Sequence, residues 1–378
     1  MALSKILPPL EDETLIDKLS EDEITDRCLG MLLGCCCGDI LGANCEFSKP
    51  KKLQKKYKRV HSFLDSNERR FGQYTDDTEM TLAVCDSLIK NQGLNAEHLA
   101  KTYGRYFDSR PQRGYGPSVS KILRKISQGE IDYRESGTMI FPEGSYANGG
   151  LMRISPIGFS FRNASQEVMH EAVRLALLPT HVHPEAIEGT FLQAFSIAKF
   201  TKMNPKDFDA DQWINELINM SKVELIKKRL EVVLECLHKE MTPLQVVELV
   251  TEPNEFGKTF QIRTADALAS VCYIMGKFGK NPEQALEEIV ILGGDADTVA
   301  AILGALIGSL YGSSWIPNRW FKNIENRSFE GLYVGRDSLL EAGKLLAKLD
   351  LKEIPIQSNS VDLESNENIK EEKEEKKD

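Results

Sequence analysis

The chain has 378 residues, is 41% hydrophobic and 28% charged, and carries a formal net charge of −10. That is ample apolar material for a large core, while the acidic balance argues against a general nucleic-acid-binding surface, which is usually basic. Its eight cysteines form no CxxC pair and no regular framework, so zinc and disulfides are not expected and a reducing compartment fits.

Residues 1–19 read as a polar N-terminal arm. The N-terminus, acidic and polar from Glu11 to Glu23, matches neither a secretory signal nor an arginine-rich transit peptide, so cytoplasm or nucleus is expected. Ser20 and Glu23 then form a capping box before a helix predicted over about residues 21–43. The middle of that helix is apolar on nearly every face. The run is too short for a membrane span and contains Asp39. Cys35, Cys36 and Cys37 lie within it as small core residues. Gly30, Gly34, Gly38 and Gly42 recur at every fourth position, a spacing that lets another backbone approach closely.

Residues 49–70 are basic, with Lys49, Lys51, Lys52, Lys55, Lys56, Lys58, Arg59, Arg69 and Arg70. Such a run reads as a solvated face or as a lid over an anionic ligand. Beyond it, apolar residues recur with helical period over residues 78–90, 97–107, 118–126, 166–177, 184–200, 211–220, 222–238, 243–250, 264–278 and 336–348. Another helix is expected near residue 296, with Gly304, Gly308 and Gly312 repeating the four-residue spacing. No strand signal interrupts the pattern. The prediction is therefore a single all-α domain over residues 20–352, its two glycine-striped helices central and packed closely, followed by a charged, disordered tail over 353–378.

Two acidic clusters stand at helix starts: Gly72-Gln73-Tyr74-Thr75-Asp76-Asp77-Thr78 and Gly293-Gly294-Asp295-Ala296-Asp297-Thr298. Either alone reads as helix capping, since Thr and Asp accept orphan backbone N–H bonds. The first has more acceptors than one cap needs. In the second, Asp295 and Asp297 would diverge on a regular helix, but a Gly-Gly turn allows both to point at one spot. Brought together, the clusters would form an all-oxygen, self-repelling site suited to hard divalent cations.

In combination these motifs resemble the ADP-ribosylglycohydrolase superfamily, which includes dinitrogenase-reductase-activating glycohydrolase and the vertebrate ADP-ribosylhydrolases. The resemblance is carried by Gly38-Asp39-Ile40-Leu41-Gly42 with Glu46, by Thr75-Asp76-Asp77-Thr78, by Gly294-Asp295-Ala296-Asp297-Thr298 and by Thr180-His181-Val182-His183-Pro184. Arg113-Gly114-Tyr115-Gly116 and the run from Gly144 to Arg153 look most like the serine-ADP-ribosylhydrolase type.

The resemblance implies a compact orthogonal helical domain with a binuclear Mg²⁺ centre. Its ligands would be Glu46, Thr75, Asp76, Asp77, Asp295, Asp297 and Thr298. Glu46 matches a glutamate on a loop that closes over the metals. The expected reaction is hydrolysis of the ADP-ribosyl bond of ADP-ribosylated proteins, serine-linked or arginine-linked, or of poly(ADP-ribose) or O-acetyl-ADP-ribose. A non-catalytic relative of the same fold is the other class. Asp295 or Asp77 is the expected general base, with Glu46 the alternative acid/base. Gly114, Gly116, Gly144, Ser145, Tyr146 and His181 would contact substrate, with Tyr146, Phe141 and Phe260 available to stack on adenine. His183 is expected to be structural. The expected partners are ADP-ribosylated proteins or small ADP-ribose compounds, with no nucleic acid, no membrane and a monomeric state.

Overall fold

A computed structural model of the chain describes residues 19–354 apart from 68, 110–111 and 328–330. Nearly all of the expected N-terminal arm and charged tail (residues 1–18 and 355–378) lies outside the described residues. The domain is all-α; among the described residues there is no strand, and β pairing is limited to three isolated bridges.

Six helices position the site: α1 (Glu21–Ala43), α2 (Pro50–Tyr57), α3 (Asp76–Asn91), α4 (Pro184–Lys202), α5 (Thr264–Phe278) and α6 (Ala296–Tyr311). The capping box at Ser20 and Glu23 is formed and fixes the start of α1. The predicted bounds of α1 and α5, and those of the helices Gln166–Leu177 and Pro243–Val250, coincide with the observed ones. The predicted helix over 222–238 begins at Glu224, and that over 336–348 ends at Leu346. Helix Pro282–Val290 was not anticipated. Its nine residues run straight into Ile291 and Leu292, so its apolar positions merge with the approach to the second acidic cluster.

The glycine stripes of α1 and α6 face each other. A Cβ built on Gly34 would lie 2.2 Å from the Gly304 carbonyl oxygen, and one on Gly304 2.0 Å from that of Gly34. Gly30 meets Gly308 and Gly312 in the same way, Gly38 meets Ala300, and Gly42 meets Ala296 and Asp297. Numbers rise along one helix as they fall along the other, so the pair is antiparallel. The two backbones touch, and any side chain at these positions would separate them. This pairing sets the site: the C-terminal part of α1, which carries Asp39, with Glu46 just past the helix, lies beside the N-terminal end of α6, with Asp295 and Asp297.

Helix α3 packs on α1, while α4 and α5 pack on α6. The short 3₁₀ turn Asn148–Arg153 sits where α3, α4, α5 and α6 converge. All eight cysteines are buried and free, and burial pushes the Cys35, Cys36 and Cys37 thiols well up, consistent with small core residues.

Candidate metal and substrate site

Thr75 is the N-cap of α3. Its hydroxyl donates to Asp77 Oδ2 at 2.6 Å and accepts from the Asp77 N–H at 3.4 Å. Asp39, fully buried on α1, accepts from the Thr75 N–H at 2.9 Å, the Thr78 N–H at 3.0 Å and the Thr78 hydroxyl at 2.6 Å. One carboxylate from α1 therefore fixes the whole first turn of α3.

Helix α6 starts from a Gly-Gly turn with φ of +64° at Gly293 and +70° at Gly294, a region glycine enters without strain. A Cβ on either would strike backbone: Ser48 O at 2.1 Å or Thr259 O at 1.9 Å. The Phe47 N–H donates to Gly294 O at 2.8 Å, and the Gly294 N–H donates to Ser48 O at 3.1 Å. These two bonds tie the loop carrying Glu46 to the turn carrying Asp295. As a result, carboxylate oxygens of Glu46, Asp295 and Asp297 lie within 4.8 Å of one another.

Asp295 is held from a third direction. Asn148 Nδ2 donates to Asp295 Oδ2 at 2.6 Å and also to Gln261 O at 2.9 Å, while the Asp295 N–H donates to Gln261 Oε1 at 3.2 Å. The Thr298 N–H donates to Asp297 Oδ1 at 3.0 Å.

The electrostatics are those of crowded acids out of water. Burial pushes the Asp39, Asp77 and Asp295 carboxyls up to about 7 and Asp297 up to about 8. Neighbouring acids add to this: Asp297 raises Asp77 across the two clusters, and Asp295 and Asp39 raise Asp297. Glu46 is pushed up to about 10, first by burial and then by Asp297 and Asp295. Asp76 rises for the same reasons. Against these acids stands Arg69, whose Nη2 lies 3.7 Å from Glu46 Oε2. Asp77 Oδ1 is buried with no hydrogen-bond partner.

An orphaned carboxylate oxygen, an all-oxygen donor set and a surplus of negative charge fit a hard divalent cation. Another group of ligand-type residues, His61, Glu283 and Glu287, differs in this respect. Its glutamates already meet guanidinium groups, Glu283 that of Arg319 and Glu287 that of Arg59.

The predicted substrate loops converge on the same place. The Tyr146 carbonyl accepts from the Thr264 N–H at 3.0 Å, and the Asn148 N–H donates to Ile262 O at 2.8 Å, joining this loop to the segment before α5. Ser145 Oγ accepts from the Ala147 N–H at 3.2 Å. Gly144 abuts the backbone of Val182 and His183. Tyr146 is 48% exposed, with the Arg263 guanidinium 4.9 Å from its ring centre and the His183 ring edge-on at 5.8 Å. His183 caps α4, accepting the Glu185 N–H at 3.1 Å, as a structural residue should. His181 is buried against Gly149, and burial with the Arg153 charge pushes it down to about 3, so it is neutral.

Gly114 lies against the Arg69 guanidinium, and Gly116 caps the helix Pro117–Ser127 with open space before it. Tyr115 donates to Glu79 Oε2 at 2.7 Å, and Arg113 Nε to Glu79 Oε1 at 3.1 Å, anchoring this loop to α3. Phe260 is buried and its face is taken by Phe47, centroids 5.0 Å apart and 20° from parallel, so it is not free to stack on a base here. Phe141 and Tyr146 remain exposed.

Three residues that matter were given no role from sequence. Asp39 had a signal: an acid in an otherwise apolar helix must meet donors. Asn148 sat inside a quoted motif without an assigned role. Gln261, far from any motif, gave no sign.

Fold and site together define an all-α protein built around a buried carboxylate cluster suited to a hard cation. Residues 20–354 match the family model of ADP-ribosylglycohydrolase, and the chain belongs to that family of glycosyl hydrolases. It is 28% identical over 326 residues to ADP-ribosylhydrolase ARH3 of Danio rerio, covering 79% of this chain and 86% of that one. It is 26% identical to the Homo sapiens ARH3 over 332 residues, with coverages of 79% and 89%. Similarity extends to the ADP-ribosyl-(dinitrogen reductase) glycohydrolase of Rhodospirillum rubrum, 26% identical over 309 residues, with coverages of 80% and 91%. A solved structure described as an ADP-ribosylglycohydrolase-related protein complex shares the fold, with a TM-score of 0.65 at 22% identity over 87% of this chain and all of that one. No helix among the described residues is long and apolar enough to cross a membrane.

Proposed function

We propose that this enzyme hydrolyses the glycosidic bond joining ADP-ribose to a protein side chain, serine-linked in the first instance, with two Mg²⁺ ions as cofactor. The observation that carries the reading is the meeting of Glu46, Asp295 and Asp297 oxygens within 4.8 Å, beside Asp77 with its unpartnered oxygen. Thr75, Asp76, Asp77, Asp295, Asp297 and Thr298, with Glu46 above them, would hold the ions. When bound, the ions supply Lewis acidity that favours ionised carboxylates and lowers the pKa of a coordinated water.

The chain's own residues do the rest. Bond cleavage at the anomeric carbon develops positive charge on the ribose ring, and the ring of carboxylates stabilises that charge. Asp295 is positioned as the general base: Asn148 anchors one of its oxygens, leaving the other to take a proton. Glu46, on a loop joined to the Gly293–Gly294 turn by two backbone bonds, would cover the ions and serve as the alternative acid/base. Gly114, Gly116, Gly144, Ser145 and Tyr146 form a polar, glycine-permissive rim for the diphosphate and adenosine. His181 offers a neutral hydrogen-bonding edge there.

The test is release of ADP-ribose from serine-linked and arginine-linked peptides, each with Mg²⁺ and with EDTA. Metal-dependent release from the serine-linked peptide alone supports the proposal. Release from the arginine-linked peptide alone reassigns the acceptor, and release from neither removes the activity.

A further inference from the structure

The hydrogen bonds around Thr180 contain more information than their role in packing. Arg153 is fully buried, and no carboxylate lies within ion-pair distance of it among the described residues. Its guanidinium packs over the Tyr103 ring, 4.8 Å from the centroid, and its Nη2 donates to Thr180 Oγ1 at 2.5 Å. The same Thr180 oxygen lies 2.8 Å from His181 Nδ1. Thr180 is itself 2% exposed, and these two are its side-chain hydrogen bonds.

Proton counting fixes the arrangement. Arginine can only donate, so Thr180 Oγ1 must accept from Arg153. The threonine hydroxyl carries one proton of its own. If His181 Nδ1 also donated to that oxygen, the hydroxyl proton would be left buried with nowhere to go, a cost of about 1–3 kcal/mol. The hydroxyl therefore donates to His181 Nδ1, which must be the bare nitrogen. The imidazole proton then sits on Nε2, the edge that lies against Gly149, where a built Cβ would be 3.0 Å away. No protein hydrogen-bond partner for Nε2 is present among the described residues.

We infer that Arg153 and Thr180 are positioning residues that lock His181 in its Nε2–H tautomer and so give the Gly149 edge of the site one fixed hydrogen-bond donor for an oxygen of the ADP-ribosyl group. The identity of that ligand rests on the function proposed above; the tautomer does not. Burial and the adjacent Arg153 charge keep the ring from protonating, so the donor is a neutral N–H rather than a cation. Its proton is directional and never changes sign. That suits a contact whose task is to orient a ligand oxygen rather than to neutralise charge.

Long-range ¹H–¹⁵N spectra of the full chain test the tautomer directly. Six histidines are present, and His181 is assigned by the signal lost in His181→Asn. A protonated Nε2 with a bare Nδ1 is expected in the wild type, and a protonated Nδ1 overturns the inference. Thr180→Val, near-isosteric but without the hydroxyl, should weaken binding of ADP-ribose with Mg²⁺ by roughly five- to tenfold, the loss of one oriented hydrogen bond. The same variant should raise KM more than it lowers kcat, and Thr180→Ser should restore both. Wild-type binding by Thr180→Val would overturn the positioning role. Absence of ADP-ribose binding in the wild type would overturn the ligand assignment and the function beneath it, while the spectra would still decide the tautomer.

Discussion

Substituting alanine for glycine at the two ends of the α1 stripe separates the packing of the central helices from their role in the site. At Gly30 a Cβ would sit 2.1 Å from the Gly312 carbonyl oxygen; at Gly42 it would sit 2.4 Å from that of Ala296 and 2.5 Å from Asp297 Cα. Reaching an ordinary contact of 3.4 Å requires local separations of about 1.3 Å and 1.0 Å. Overpacking of this kind costs about 1–3 kcal/mol, with the upper end apt for backbone on both sides. Alanine recovers up to ~1 kcal/mol of helix propensity, leaving a net loss of about 2 kcal/mol in each variant. For a domain of some 335 residues (20–354), with ~2.1 cal/mol/K of unfolding entropy per residue, that lowers Tm by about 3 °C. The functional consequences should diverge. Gly30 faces the far end of α6, whereas the atoms displaced at Gly42 are the Ala296 carbonyl and the Asp297 Cα. A shift of about 1 Å in a catalytic ligand costs on the order of 100-fold in rate. Thermal unfolding and metal-dependent ADP-ribose release, measured on both variants, check this. Equal losses of activity, or a Gly42→Ala enzyme with wild-type turnover, would refute the placement of Asp297 by helix contact.

Asp77→Ala and Asp297→Ala should each abolish metal-dependent hydrolysis while circular dichroism stays helical; near-full activity in either would dismiss the ligand assignment. The pH dependence of stability has a definite sign. Burial holds the Asp77, Asp295 and Asp297 carboxyls up at about 7 to 8 in the folded chain, against about 4 in an unfolded one. Between these values the folded state binds more protons, so stability falls as pH rises. In EDTA, Tm should therefore decline from pH 5 to pH 8, and Mg²⁺ should remove most of that decline; a Tm rising over this range in EDTA would contradict it. ADP-ribose at 100 times its Kd, with Mg²⁺, should add ~2.7 kcal/mol of stability, raising Tm by about 4 °C.

Much of the fold was legible because its determinants are local and periodic. The capping box at Ser20, the 3.6-residue apolar pattern and the paired glycine spacings on α1 and α6 each constrain geometry that needs no knowledge of distant residues. The two acidic clusters were legible for the same reason, as both sit at helix starts. What stayed hidden depends on contacts between remote segments. Gln261 accepts from the Asp295 N–H, 34 positions away, and from Asn148 Nδ2, and nothing around it marks it. Phe260 looked like a free aromatic. Only the fold shows that Phe47, at φ +57°, turns its ring onto it.

Asp39 lies between these cases, and its replacement shows what the sequence alone could not. An acid in the apolar middle of α1 announces that donors must surround it, but not which ones. They are the Thr75 and Thr78 N–H groups and the Thr78 hydroxyl, so the buried carboxylate orients the helix start that carries Asp76 and Asp77. Asn at this position keeps one acceptor oxygen and turns an NH₂ group toward backbone donors. At least one buried N–H is left unpaired, at about 1–3 kcal/mol. Asp39→Asn should therefore unfold at a Tm lower by about 1–4 °C and need more Mg²⁺ for half-maximal turnover. Asp39→Glu, with the charge retained but displaced by a methylene, should share the second defect. An Asp39→Asn enzyme with wild-type metal dependence would show that α3 holds its first turn without α1.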